Sequence, residues 1–314
     1  MRGINASSII FLLFVFWNLF MLIFFRIRKV KAKKPKSPGN GILIVLAVNT
    51  ALLGGLYFFS VNIGVTHYSL KSGRLPAEFD GYKILQISDF HTATFSGGTE
   101  ALLKKVKKER PDIIVLTGDL IDETRVNFQP VTRLAAGLVA IAPVYSVSGN
   151  HDEWYKYYSK FSSLLKSKGV KTLENSGVML QRGNSSINLF GIDDPETWDD
   201  LLSKNYLVEN IKKLRPEDGF NILLFHRANM FDIIKGNGYQ LVLSGHMHGG
   251  QVQVPFLGGV VSPHSNQGWF PKYTDGRWEE EGTAMIVSRG LGNNAPIPRI
   301  LNPPEVVVVT LKTQ

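Results

Sequence analysis

Leu243-Ser-Gly-His-Met-His-Gly-Gly-Gln251 closes the apolar run Tyr239-Gln-Leu-Val-Leu243. His246 and His248 stand two residues apart, and at the end of an extended strand an i, i+2 pair leaves the chain on one side. Gly245, Gly249 and Gly250 let the backbone turn sharply and come close to whatever the imidazoles hold. A single His-x-His is weak evidence, so its reading depends on the rest of the chain.

Four earlier stretches repeat the design. Tyr82-Lys-Ile-Leu-Gln-Ile87 ends in Asp89-Phe-His91, again at i, i+2. Pro111-Asp-Ile-Ile-Val-Leu-Thr117 delivers Asp119 after Gly118, with Asp122 three residues on. Val144-Tyr-Ser-Val-Ser148 ends in Gly149-Asn150-His151-Asp152, and Phe220-Asn-Ile-Leu-Leu-Phe225 ends in His226. A helix-like segment over 97–110 and a helix with apolar positions Val131, Leu134, Leu138 and Ile141 separate the first three. Alternation of this kind specifies an α/β fold, in which sites form at the carboxyl ends of strands.

Asp and Asn are ordinary turn residues, so one such cluster means little. Five together mean more, because five of the seven histidines (His91, His151, His226, His246, His248) lie at these ends. Asp, Asn and His without any cysteine suit Mn²⁺, Fe²⁺ or Zn²⁺. About seven ligands exceed the needs of one ion and point to two ions sharing a bridging carboxylate.

The net charge of +9 on 314 residues belongs to the amino terminus. Residues 1–77 hold ten Lys/Arg and no acid, which leaves 25 basic against 26 acidic residues in the remainder. A near-neutral body argues against nucleic acid as partner. Ile9–Phe25 is apolar except for Asn18, seven basic residues follow between Arg26 and Lys36, and a second apolar stretch runs over 42–63. Both runs reach the roughly 17–25 residues of a spanning helix. A signal peptide fits poorly, because only Arg2 precedes the first run. The expectation is a membrane anchor over 1–65 with transmembrane helices 9–25 and 42–63, a linker over 66–80 and a domain over 81–314. The basic loop would lie in the cytoplasm and the domain outside.

The series Asp89-x-His91, Gly118-Asp119-x-x-Asp122, Gly149-Asn150-His151-Asp152, His226 and Gly245-His246-x-His248 resembles the calcineurin-like metallophosphoesterase superfamily. The resemblance implies a four-layer α/β/β/α sandwich, here preceded by the transmembrane hairpin. It also implies that Asp89, His91, Asp119 and His248 hold one metal. Asp119 would bridge to a second, held by Asn150, His226 and His246. His151 would donate a proton to the leaving group, oriented by Asp122 or, second choice, Asp152. Two divalent ions, Mn²⁺ foremost, would be the cofactors.

Ser244–Val252 with Pro255, Val287-Ser-Arg-Gly-Leu-Gly292, Pro298-Arg299 and Asn302-Pro-Pro-Glu-Val306 look like the membrane-associated branch that includes UDP-2,3-diacylglucosamine pyrophosphatases of lipid A synthesis. Phe90 stands where that family usually has Leu, Arg227-Ala-Asn229 replaces Asn/Glu-Pro-Asp, and Met247 replaces a common Thr.

Arg289 and Arg299 are candidate phosphate clamps, since Arg suits bidentate phosphate contacts. Trp154-Tyr-Lys-Tyr-Tyr158 with Phe161, Leu164 and Leu165 reads as the packing face of a helix. The Gly/Pro/aromatic stretch 256–281 reads as a loop that caps the site and dips toward lipid. The expected function is hydrolysis of a phosphoester or pyrophosphate bond in a lipid-linked substrate by an integral protein of the bacterial inner membrane, with the bilayer as partner. The alternatives are the same chemistry on a soluble substrate and a non-enzymatic envelope protein.

Overall fold

The computed structural model describes residues 62–314 except 94–96, 123–126, 196, 198, 217, 262–267 and 294–296, together with scattered positions between 17 and 55. In chain order the strands are β1 (Gly64–Ser72), β2 (Lys83–Ile87), β3 (Ile113–Thr117), β4 (Val144–Val147), β5 (Lys171–Thr172), β6 (Ser176–Arg182) and β7 (Ser185–Ile192). There follow β8 (Asn221–Arg227), β9 (Leu241–Gly245), β10 (Gln253–Val254), β11 (Gly258–Gly259), β12 (Gly276–Glu280), β13 (Thr283–Val287) and β14 (Glu305–Thr313). The helices are α1 (Gly98–Glu109), α2 (Gln129–Val139), α3 (Asn150–Glu153), α4 (Tyr158–Ser167), α5 (Asp200–Leu214) and α6 (Phe231–Ile234).

Two six-stranded sheets face each other, ordered β1-β14-β2-β3-β4-β5 and β12-β13-β9-β8-β7-β6. β2 to β5 run parallel, as do β7, β8, β9 and β13, so the site-bearing strands of each sheet end at one edge. Their near-continuous apolar sequences follow from burial on both faces. In β3, Ile113 and Val115 enter the layer between the sheets while Ile114 and Leu116 face outward to the helices. In β8, Ile222 and Leu224 enter that same layer while Leu223 and Phe225 face the other helical side. Val131, Leu134, Ala135 and Leu138 of α2 form one helical stripe against the first sheet, and Leu207 and Ile211 of α5 cover the second. The layers are α/β/β/α.

The expected transmembrane hairpin, and with it an integral membrane location, is corrected. Among the described residues no helix is long and apolar enough to cross a membrane. Both runs, 9–25 and 42–63, lie mostly outside the described residues. The stretch read as a linker carries β1, which pairs in parallel with β14 over nine residues from Gly64 to Ser72. The aromatic stretch after Asp152 is not one helix face. It joins α3 to α4, with Tyr155, Phe161 and Leu165 in the core.

Candidate metal centre

Two buried groups of ligand atoms lie where the strands end. Asp89, His91, Asp119 and His248 form one, and Asp119, His226 and His246 the other, with the atoms of each group within 4.8 Å of one another. Asp119 belongs to both. Its Oδ2 is 3.6 Å from His91 Nε2 and 3.1 Å from His226 Nε2. On the first side His248 Nε2 is 3.2 Å from Asp89 Oδ1 and 3.2 Å from His91 Nε2. On the second, His246 Nδ1 is 3.3 Å from His226 Nε2.

The local sequence explains how the chain reaches these positions. Asp89, His91, Asp119, His246 and His248 all adopt left-handed backbone, with φ from 45° to 73°. Side-chain-bearing residues rarely do so, and each costs on the order of 1–3 kcal/mol unless its surroundings dictate it. Here they do. Asp89 N–H donates to Gly118 O and His91 N–H to Asp119 O, both at 3.0 Å, so the loops after β2 and β3 are sewn together. His246 N–H donates to Asp89 Oδ1 at 3.0 Å, which joins the second sheet to the first. Below, Gln86 Nε2 donates to Thr117 Oγ1 and to Ser244 O, each at 2.9 Å, as a polar latch across the inter-sheet layer. Two glycines allow the approach: a Cβ on Gly245 would overlap Ser88 and Asp89, and one on Gly149 would overlap Asp119.

Tautomers and charges suit cation binding. His226 Nδ1–H donates to Thr117 O at 2.7 Å, which turns Nε2 toward Asp119 and the second ligand group. Burial outweighs the nearby carboxylates at His91 and lowers its pKa to about 3, so this imidazole is neutral and ready to coordinate. At Asp119 burial pushes upward, but the imidazole of His226 and its neighbours prevail and hold the carboxyl well below its usual range. At His226 burial pushes downward, and the Asp119 carboxylate outweighs it to raise the pKa to about 10.

Asn150 supplies a direct test of fit. It is 1 % exposed, and neither side-chain atom has a hydrogen-bond partner. A buried amide in that state is costly and calls for a ligand. Next to it, His151 N–H donates to Asp119 Oδ1 at 2.8 Å. An amide oxygen, imidazoles and carboxylates form a donor set for borderline or hard divalent ions, with a cation taking the place of the His226 proton, so the residues fit.

The remaining expected residues are distributed unevenly. His151 is half-buried, with its ring 4.9 Å from that of His91 and 5.1 Å from Trp154. Asp122 is buried in the loop after β3. Asp152 is committed elsewhere: Oδ1 accepts from Leu120 N–H and Ile121 N–H, and Oδ2 from Gly149 N–H. Burial, then Asp119, raises its pKa to about 7. Arg289 pairs with Glu305, and Arg299 is buried with Nε and Nη2 on Gly292 O at 3.0 and 2.6 Å. Both arginines are thus engaged inside the fold. Sequence reasoning missed Gln86 and the buried Asp194–Arg227 pair, whose two hydrogen bonds measure 2.7 and 2.6 Å. Gln86 carried a signal, as the one polar residue inside an apolar strand. A cavity of about 520 Å³ lies near these loops, lined among others by Lys204, Arg227, Asn229, Met247 and Lys272, but none of the seven candidate ligands lines it.

The family model described as calcineurin-like phosphoesterase matches residues 82–250. The uncharacterized metallophosphoesterase YkuE of Bacillus subtilis is 31 % identical over 286 residues, covering 87 % of this chain and 96 % of its own. An uncharacterized metallophosphoesterase of Aquifex aeolicus is 29 % identical, covering 79 % of this chain and 91 % of its own. The phosphodiesterase YaeI of Escherichia coli is 26 % identical, covering 73 % and 82 %.

Proposed function

Because the chain belongs to the calcineurin-like phosphoesterase family and is a metal-dependent phosphoester hydrolase, we propose that it hydrolyses a water-soluble phosphodiester at a dinuclear centre. The observation that carries this reading is the sharing of Asp119 between two buried ligand groups. One ion would be held by Asp89, His91, Asp119 and His248, the other by Asp119, Asn150, His226 and His246. When bound, the cations supply Lewis acidity toward the phosphoryl group and lower the pKa of water. The protein's own part is to present these ligands in fixed tautomers, hold the loops through the Asp89–His246 contact, and exclude water from beneath.

His151 is the candidate catalytic acid. It is half-buried where the metal ligands are buried, so it is the imidazole a substrate can reach. A positioned acid that protonates the departing oxygen contributes about 10²–10⁴-fold. Asp122 is assigned as its orienting carboxylate, since both oxygens of Asp152 already serve the backbone.

A diester is favoured over UDP-2,3-diacylglucosamine because a relative at 26 % identity is named a phosphodiesterase. The test uses purified full-length chain stripped with a chelator and reloaded with Mn²⁺, Fe²⁺ or Zn²⁺. It compares bis-p-nitrophenyl phosphate, p-nitrophenyl phosphate, a cyclic nucleotide and UDP-2,3-diacylglucosamine. Metal-restored cleavage of the soluble diesters above the others supports the reading. Cleavage of UDP-2,3-diacylglucosamine alone would replace it with the lipid-linked one.

A further inference from the structure

Five large apolar side chains stand exposed on one small lattice of chain beside the metal centre. Phe256 is fully exposed, Leu257 69 %, Trp269 57 %, Phe270 61 % and Leu301 50 %. β10 and β11 pair in a hairpin whose tip carries Phe256 and Leu257. Val260 N–H donates to Val252 O at 2.9 Å, and Phe270 N–H donates to Val260 O at 2.8 Å. On the other side Gln253 N–H donates to Ile300 O at 2.9 Å, and Val252 bridges to Ile300. The four segments therefore lie side by side in the order 300, 252, 260, 270. The lattice is tied to the ligand loop, since Val261 N–H donates to Gly250 O at 3.0 Å and Asn302 Nδ2 to His248 O at 2.7 Å.

The chain enters the domain at the same corner. Gly64 N–H donates to Pro304 O at 2.8 Å, three residues beyond Leu301. What precedes Gly64 is the apolar sequence over 42–63, and before that the seven cations between Arg26 and Lys36. An apolar stretch flanked by a basic cluster favours an anionic lipid surface, and Trp and Phe favour the boundary between headgroups and acyl chains. The exposed side chains also protrude from a hairpin tip and loop flanks. Protruding aromatic side chains can each enter the headgroup and acyl boundary of a bilayer without a shaped partner face.

We propose that this aromatic corner docks on the surface of an anionic lipid bilayer, without crossing it, and holds the metal centre facing the interface. Docking sets where the enzyme works and leaves its substrate chemistry as proposed above.

The chain contains no cysteine, so a single introduced thiol can be labelled without background. Full-length Phe256→Cys and Phe270→Cys, each carrying an NBD fluorophore, are mixed with vesicles of phosphatidylcholine and phosphatidylglycerol. Met179→Cys, exposed on β6 at the far edge of the second sheet, is the control. The expected result is a several-fold rise and blue shift at positions 256 and 270, quenched by acyl-chain doxyl lipid, with position 179 unchanged. Docking is overturned if 256 and 270 behave like 179. It is equally overturned if their shift needs no vesicles: growth with protein concentration would mean a second copy covers the corner, and a concentration-independent shift would mean the chain's own amino-terminal segment does. None of these readouts uses catalysis, so failure here leaves the hydrolase reading intact.

Discussion

Replacing Asp119 with Asn removes the shared anion with almost no change of shape. The amide oxygen can still accept from His151 N–H, as Oδ1 does at 2.8 Å. The amide nitrogen then takes the place of Oδ2 and turns a donor toward His226 Nε2 and His91 Nε2, now 3.1 and 3.6 Å from the carboxylate. Lesions one shell further out typically cost 10–100-fold at metal sites. Asp119 serves both ligand groups, so the losses compound to about 10²–10⁴-fold in kcat/KM, or about 3–5 kcal/mol of transition-state stabilisation. The assay is Mn²⁺-dependent hydrolysis of bis-p-nitrophenyl phosphate, run beside elemental analysis of metal per chain and circular dichroism to confirm folding. A folded Asp119→Asn protein that keeps its full metal content and more than about a tenth of its activity would refute the shared-ligand argument.

His151→Ala should leave metal content unchanged and lower kcat on an alkyl diester by about 10²–10⁴-fold, with a smaller loss on p-nitrophenyl esters, whose leaving group needs no proton; equal losses on both would exclude the acid role. Asp193 accepts from Ser148 N–H and Oγ–H, and burial raises its pKa from 3.8 to about 6. Its ionised form therefore destabilises the fold, by up to about 3 kcal/mol above pH 6, an effect that fades as pH falls through 6 toward 4. Asp193→Asn should accordingly raise Tm near pH 8, by an increment that shrinks toward about pH 4, as thermal melts across that range would record. Arg289→Ala strands the buried Glu305 and should cost about 3 kcal/mol in denaturant melts with KM for the diester unchanged, and Glu305→Gln in the same chain should restore part of it.

What the sequence made legible was whatever is local. Strand ends announce themselves because an apolar run stops and a glycine with Asp, Asn or His follows, as at Gly118-Asp119 and Gly245-His246. The α/β class followed from the same alternation of apolar strands and helices, and the four layers from the family resemblance of the strand-end motifs. The rest depended on partners far along the chain. β1 went unread because it is an edge strand with Leu70 as its one buried residue, so no apolar run marks it. Arg289 looked free for phosphate because nothing nearby announced that Glu305 would face it from β14. Asp152 looked like a partner for its neighbour His151 until the turn aimed both oxygens at the backbone of the β3 loop. The two amino-terminal apolar runs were plain as composition, yet no spanning helix occurs among the described residues.

Among the described strands β1 is hydrogen-bonded to β14 alone, and the Thr66–Glu305 contact joins residues 239 positions apart in the chain. During synthesis the first strand of the domain therefore emerges long before its partner exists, and its edge has to wait until residues 305–313 are made. The segment that finally pairs with it, 305–313, directly follows the turns that brace Asp89 through Gly292 N–H and His248 through Asn302. A polypeptide abandoned before Gly292 would lack both braces, and one abandoned before Glu305 would lack the strand that holds β1. The ligand loops thus reach their braced geometry only when residues 292–302, far along the chain from Asp89, have been made.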